Sequence, residues 1–93
     1  MKKFIIRTEK AGVFFAEIKE KNGNELVLAN ARRLWYWSGA ASLSQLATDG
    51  TSESNNCKFT VVVDEMTVNN WIEIIPCTDK AIESINAVRI WKV

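Results

Sequence analysis

Residues 12–36, GVFFAEIKEKNGNELVLANARRLWY, predict the β-hairpin around which the rest of the fold is arranged. Residues 12–20 partly alternate between apolar and polar side chains, as the two faces of a strand do. Residues 21–24 contain Asn-Gly, the strongest short sequence pattern for a hairpin turn. We therefore expect residues 25–36 to form the return strand, with a bend near Asn30.

Further strands are predicted on either side of this hairpin, at residues 2–8, 58–63, 66–75 and 88–93. Two short helices complete the pattern. One begins at a capping box formed by Ser42 and Gln45, and the other follows Thr78 and runs to about Asn86. The pattern predicts a single domain over residues 1–93 of the mainly β, α+β class. Its expected form is a small antiparallel barrel or bent sheet of about six strands with two short helices.

The composition is that of a globular domain, with 93 residues, 47% hydrophobic and 25% charged, and a formal net charge of +1. This balance argues against binding of long nucleic acid, which needs a large basic excess. The chain has no His, which removes the usual general base and the commonest metal ligand, and its two cysteines are expected to be free thiols. No apolar stretch approaches the ~20 residues of a membrane span. We expect a cytoplasmic protein without cofactor, metal site or enzymatic activity.

The strongest pattern for ligand binding lies at residues 31–45, ARRLWYWSGAASLSQ. Two guanidinium groups that can grip phosphate precede three aromatic rings that can stack on bases. Small and hydroxylated residues follow and lead into a helix start, where unpaired N–H groups attract anions. The pattern predicts a site for a small anionic, aromatic ligand, formed by Arg32, Arg33, Trp35, Tyr36, Trp37, Ser38, Gly39, Ser42 and Gln45.

Each part of this site has a structural alternative. On a strand, Arg32 and Arg33 point to opposite sides, so one shared pocket requires a bulge or a second subunit; otherwise they are a solubilising surface pair. Trp35 and Trp37 share one strand face and are typical of core packing, which leaves Tyr36 as the more exposed ring. The hydroxylated residues that follow also suit ordinary helix capping.

Residues 30–47, NARRLWYWSGAASLSQLA, resemble the core of a family of short bacteriophage and prophage proteins of unassigned function. Further segments are similar to that family at residues 6–8, 11–15, 57–59, 72–77 and 88–93. The resemblance implies a phage context, in which small proteins often counter host immunity. One such strategy is the sponge, an oligomer that sequesters cyclic nucleotide or cyclic ADP-ribose signals without catalysis.

The leading hypothesis is a homo-oligomeric phage anti-defence protein that sequesters a nucleotide-derived immune signal in the bacterial host cytoplasm. Arg32 and Arg33 would pair with phosphate, Tyr36 or Trp37 would stack on a base, and residues 38–42 would bind through backbone and hydroxyl groups. The alternative is a protein-interaction module that inhibits a host protein, because Trp, Tyr and Arg dominate such contacts. A binder of single-stranded nucleic acid on a small barrel is a further alternative, which the near-neutral charge disfavours.

Overall fold

The computed structural model describes residues 2–93, which form five strands, two α-helices and one 3₁₀ turn. The strands are β1 (Phe4–Thr8), β2 (Val13–Asn22), β3 (Glu25–Tyr36), β4 (Lys58–Asn69) and β5 (Trp71–Pro76). The helices are α1 (Leu43–Asp49) and α2 (Asp79–Asn86), and the 3₁₀ turn is Ser54–Asn56. The predicted mainly β, α+β class is confirmed.

All five strands belong to one antiparallel sheet, in the order β4-β3-β2-β1-β5. Although β4 and β5 lie at opposite edges of this sheet, the single residue Asn70 joins them. Asn70 has a left-handed backbone with φ of 58°. Its N–H donates to the carbonyl of Asn24 at 2.9 Å, and its carbonyl accepts the N–H of Glu9 at 2.9 Å. The two edges therefore meet at this corner, and the sheet is curled.

The curled sheet encloses an apolar cluster on its concave face. All five strands contribute to it or pack against it, through Ile6, Phe14, Ala16, Leu26, Leu28, Ala31, Val68, Trp71 and Ile74. Because side chains from both edge strands reach the same cluster, the curvature of the sheet buries this face without help from a helix.

The two helices cover the opposite face. Their buried side chains form a second cluster with the sheet, made of Leu43, Leu46, Ala47 and Ile85 against Ile5, Phe15, Leu34 and Phe59. Thr78 accepts the backbone N–H of Ala81 at 3.1 Å as the N-cap of α2. Its hydroxyl also donates to the carbonyl of Thr48 at 2.6 Å, which ties the start of α2 to α1.

The hairpin forms where the sequence predicts it. The two turn residues between β2 and β3 are Gly23 and Asn24, and Gly23 has a positive φ of 60°, as a hairpin turn with Gly at its first position requires. The predicted bend in the return strand lies at Asn30, whose φ is 51° and where the pairing with β2 shifts register. No helix among residues 2–93 combines the length and hydropathy that crossing a membrane requires.

The predicted strand break at residues 64 and 65 is wrong. Asp64 and Glu65 lie within the continuous strand β4, where both side chains are exposed. Glu65 accepts a hydrogen bond from Lys19 on β2 at 2.7 Å, so its charge is accommodated on a solvated part of the sheet. The chain turns instead at Asn70, where the backbone itself changes hand.

The predicted sixth strand, at residues 88–93, is not formed. Val88 is buried in the cluster beneath the helices, and Ile90 makes only an isolated parallel bridge to Phe59. The backbone N–H of Trp91 donates to the carbonyl of Phe59 at 2.9 Å. This C-terminal segment therefore lies beside β4 as an irregular stretch and leaves the sheet with five strands.

Candidate functional site

Arg32 lies inside the protein and is only 4% exposed. Its guanidinium donates to four backbone carbonyls: Thr60 at 2.9 Å, Ile85 at 2.9 Å, Phe59 at 3.3 Å and Val88 at 2.6 Å. Burial lowers the pKa of this guanidinium from its usual value, an effect that the nearby Cys57 partly opposes. The prediction that Arg32 grips phosphate is corrected, because carbonyls that join β4, α2 and the C-terminal segment to β3 occupy its donors.

Arg33 lies on the other face of the sheet, as strand alternation predicts. Its guanidinium carbon is 4.6 Å from the ring centroid of Phe14, and one N–H donates to the carbonyl of Ala11. The backbone N–H of Arg33 donates to the hydroxyl of Thr60 at 3.2 Å, next to a register shift between β3 and β4. The structure therefore does not bring Arg32 and Arg33 into one pocket.

Trp35 is 58% exposed and sits at a second register shift between β3 and β4. Leu34 pairs with Phe59 and Tyr36 pairs with Lys58, which leaves Trp35 as an extra residue opposite that step. A bulge of this kind redirects a side chain away from the regular pleat. The indole of Trp35 thereby leaves the core, which contradicts the structural alternative that Trp35 is packed in the core.

Trp35 stacks on Trp91 of the C-terminal segment, with ring centroids 5.1 Å apart and an angle of 25° between the ring planes. Lys58 adds a cation to this pair, since its Nζ lies 5.2 Å from the Trp35 ring and 5.5 Å from the Trp91 ring. Trp91 is itself 43% exposed. Two strands that are adjacent in the sheet and a segment distant in sequence thus assemble one exposed aromatic pair.

An open groove of about 440 Å³ runs beside this pair. We call it the tryptophan groove, and it is lined by Ser54, Asn55, Asn56, Cys57, Lys58, Arg89, Ile90, Trp91 and Lys92. Three of these side chains are cations and none is a carboxylate. Among residues 2–93, no Asp or Glu forms an ion pair with Lys58, Arg89 or Lys92. The lining of the groove is therefore positively charged in a nearly neutral protein, and the Glu53 carboxylate contacts it from outside by accepting the Asn56 carboxamide N–H at 3.2 Å.

Tyr36 and Trp37 separate from each other at the end of β3. Tyr36 is 49% exposed at the last position of the strand, opposite Lys58, but it is not the more exposed ring that the sequence predicts, because Trp35 is 58% exposed. Trp37 lies beyond the strand end and packs, partly buried, against the cluster beneath the helices. The prediction that Trp35 and Trp37 share a face is wrong, because the bulge and the strand end separate them.

Ser38 and Gly39 close the loop between β3 and α1 onto the segment that precedes β4. The Ser38 hydroxyl donates to Glu53 at 2.7 Å, and the Gly39 carbonyl accepts the N–H of Ser52 at 3.2 Å. Hydrogen bonds from Ser38 and then Asn56 lower the pKa of the Glu53 carboxyl. These contacts are all within the protein and give both residues a structural role.

Ser42 is the N-cap of α1, as the capping-box pattern predicts, but Gln45 bonds the residue before the N-cap and does not complete the box on the Ser42 N–H. The Ser42 hydroxyl accepts the N–H of Gln45 at 3.1 Å, and the Gln45 side-chain oxygen accepts the N–H of Ala41 at 2.7 Å. The Ser42 hydroxyl thus already satisfies one of the N–H groups that the helix start would offer to an anion. None of the predicted site residues lines the tryptophan groove, but Trp35 stacks on the groove residue Trp91 and Tyr36 pairs with the groove residue Lys58.

The sequence patterns do not indicate which residues line the groove. The sequence pattern predicts only that Lys58 lies in a strand and that Arg89, Trp91 and Lys92 lie in a final strand. The available sequence signal was that residues 89–92 repeat the combination of basic and aromatic side chains found at residues 32–37.

The groove offers an indole surface, three positive charges, the hydroxyl group of Ser54 and the carboxamide group of Asn55, whereas the carboxamide of Asn56 already donates to Glu53 at 3.2 Å. These groups suit a flat, anionic ligand. Among residues 2–93, no three Cys, Asp or Glu side chains come close enough together to hold a metal ion.

The fold and groove define a small, mainly β protein with one curled antiparallel sheet and an aromatic, basic surface site. The chain belongs to the family described as Domain of unknown function (DUF6948), whose model matches residues 1–85. Arg89, Trp91 and Lys92 follow the matched range, so the family match covers only one wall of the groove. No curated protein and no solved structure matches the chain.

Proposed function

We propose that this protein binds a nucleotide-like anion in the tryptophan groove and does not transform it. The observation that carries the proposal is the exposed Trp35–Trp91 stack beside three cations that form no ion pair within residues 2–93. An indole surface recognises the flat base, and the cations recognise the phosphate. Both elements face solvent at one place on the molecule.

The aromatic part of the proposal rests on exposure. Trp35 and Trp91 are 58% and 43% exposed, although large apolar rings in a small domain are normally buried. Each ring stacks on the other through one face, which leaves indole surface for a base. Stacking of this kind contributes about 1–3 kcal/mol per base.

The ionic part rests on the distribution of charge. The whole chain carries only +1, yet Lys58, Arg89 and Lys92 line one groove without an acidic neighbour among its lining residues. Such a local cluster suits the one or two phosphates of a compact ligand. Long nucleic acid requires a more extended basic surface.

The resemblance of residues 30–47 to short phage proteins supports a biological role for such binding. We propose that the ligand is a cyclic oligonucleotide or cyclic ADP-ribose immune signal, which the protein sequesters in the bacterial cytoplasm. A homo-oligomer would raise the number of ligands held per particle. Sequestration requires affinity and concentration, and it needs no catalytic group.

Isothermal titration against cyclic di- and trinucleotides and cyclic ADP-ribose isomers tests the proposal. At least one member of the panel is expected to give saturable heat. Trp35→Ala and Lys58→Gln are expected to weaken it, with a loss of about 5- to 150-fold for the tryptophan, the equivalent of about 1–3 kcal/mol. Lys80→Gln on α2 and Ile72→Ala on β5 are matched controls, since both remove exposed side chains outside the groove.

Absence of heat with every nucleotide, in a protein whose circular dichroism shows it to be folded, would overturn the proposal. Equal affinity in Trp35→Ala and in the Ile72→Ala control would overturn the assignment to this groove. Stoichiometric capture of one host protein that Trp35→Ala abolishes would replace nucleotide binding with protein inhibition.

A further inference from the structure

We infer a second anion site, independent of the proposed function, at a cavity of about 420 Å³ that Arg33 lines. We call it the arginine cavity, and its ligand is the phosphate monoester of a small apolar alcohol. The residues that line this cavity include Lys10, Arg33, Met66, Thr67, Asn69 and Asn70. Arg33, Met66 and Val68 line it beside Phe14, so it opens from the concave side of the curled sheet.

The guanidinium of Arg33 is held in place by the protein. It lies over the ring of Phe14, with 4.6 Å from the guanidinium carbon to the ring centroid, and one N–H donates to the carbonyl of Ala11. Gly12 leaves it room, because a Cβ at that position would lie 3.2 Å from the Arg33 Nη1 atom. A fixed guanidinium loses little freedom on binding, and its fork matches the oxygens of a phosphate.

The charge of this cavity is not compensated by the protein. Among residues 2–93, Arg33 and Lys10 form no ion pair, whereas Arg7 is paired with Glu73 at 3.1 Å. The lining residues include no carboxylate. Two cations favour a group with close to two negative charges, and a phosphate monoester carries about −1.5 to −2 near pH 7.

The remaining walls indicate what the phosphate is attached to. No hydrogen bond within residues 2–93 uses the side chain of Asn70, so its carboxamide is available to phosphate or ester oxygens, whereas Thr67 and Asn69 alternate with Met66 and Val68 along β4 and belong to the opposite face of the strand. Met66 and Val68 provide an apolar wall. The volume exceeds that of a lone phosphate, which leaves space for a small apolar group beside Met66.

The test is a ¹H–¹⁵N NMR titration with three probes: phenyl phosphate, inorganic phosphate and benzoate. Saturable shifts are expected at residues 10–14, 33 and 66–70, with affinity decreasing in that order of probes. Arg33→Gln is expected to weaken phenyl phosphate binding at least tenfold, and Lys10→Gln about threefold. Arg7→Gln removes an exposed arginine outside the cavity and is the matched control.

Equal response to benzoate and phenyl phosphate would overturn the assignment to phosphate. Shifts confined to the tryptophan groove would overturn the arginine cavity and leave the proposed function standing, whereas Trp35→Ala is expected to leave cavity binding unchanged. Should Arg33→Gln fail to fold, Lys10→Gln decides, because Lys10 is exposed and its substitution disturbs no ion pair. Unchanged affinity in that variant would refute the inference.

Discussion

Replacing Arg32 by methionine is expected to detach the C-terminal segment and cost the protein a large part of its stability. The substitution keeps an unbranched side chain of similar length but removes every hydrogen-bond donor of the guanidinium. The carbonyls of Thr60, Phe59, Ile85 and Val88 then lose the partner they share. Ile85 lies near the end of α2 and Val88 lies in the C-terminal segment, so Arg32 holds the helix and the segment together.

The magnitude follows from opposing contributions. Hydrogen bonds to a charged group contribute about 1.5–3 kcal/mol each, so the four bonds of Arg32 amount to about 6–12 kcal/mol before other terms. Burial of the guanidinium costs several kcal/mol, which methionine does not incur. We expect a net loss of about 3–5 kcal/mol in the free energy of unfolding. A chain of 93 residues has about 5–14 kcal/mol in total.

Urea denaturation followed by circular dichroism measures this loss, and Arg33→Met is the matched control. Arg33 is partly exposed and its side chain makes one hydrogen bond, so its replacement is expected to cost about 1 kcal/mol. Hydrogen exchange at Trp91, whose N–H donates to Phe59, should accelerate in Arg32→Met while exchange at Leu46 in α1 changes less. A loss below about 1 kcal/mol, or equal losses in the two variants, would refute the structural role given to Arg32.

Gly39→Ala is expected to destabilise the protein by at least about 1 kcal/mol more than Gly23→Ala in thermal unfolding, because both have positive φ but only the Cβ at Gly39 would meet backbone, 2.5 Å from Glu53 N. Equal costs would contradict the crowding at Gly39. Since the folded pKa of Glu53 is lowered, its contribution to stability is complete above its ordinary pKa of 4.5 and disappears as the pH falls through the folded value. The chemical shift of the Ser38 amide, followed by NMR as a function of pH, should report the protonation of Glu53. The step at low pH should be missing in Glu53→Gln. Burial raises the pKa of Cys77 to about 11, so the thiol is protonated at pH 8 and iodoacetamide should alkylate it slowly until urea unfolds the protein. Rapid alkylation of Cys77 in the folded state would contradict this.

Features fixed by local chemistry were predictable from the sequence. The hairpin depends on Gly23 and Asn30, whose backbones adopt positive φ, and these residue types tolerate that conformation. Both helices begin at hydroxylated N-caps, Ser42 and Thr78, because a short side-chain oxygen satisfies an otherwise unpaired N–H. The sequence predicts the break between β4 and β5 at the wrong position, because the connection consists of one residue, Asn70, and a single Asn is a weak turn signal.

The candidate site was less predictable because it depends on contacts distant in sequence. Arg32 and Arg33 are chemically identical, and the tertiary fold alone decides that carbonyls surround one while the other faces a cavity. Trp35 is exposed because of a bulge that the alternation of the strand does not encode. Its partner Trp91 is distant in sequence, and the strand pattern alone does not show that the two rings meet.

The position of β5 has a consequence for how the chain reaches its native state. The ladder that completes the sheet pairs Ile5 with Ile75, so β1 lacks one neighbour until β5 has been synthesised. Closing so long a loop slows folding relative to helical domains of this size. Until that ladder closes, β1 presents a free strand edge to other nascent chains, and a chain truncated before Trp71 would keep that edge free and be prone to aggregation.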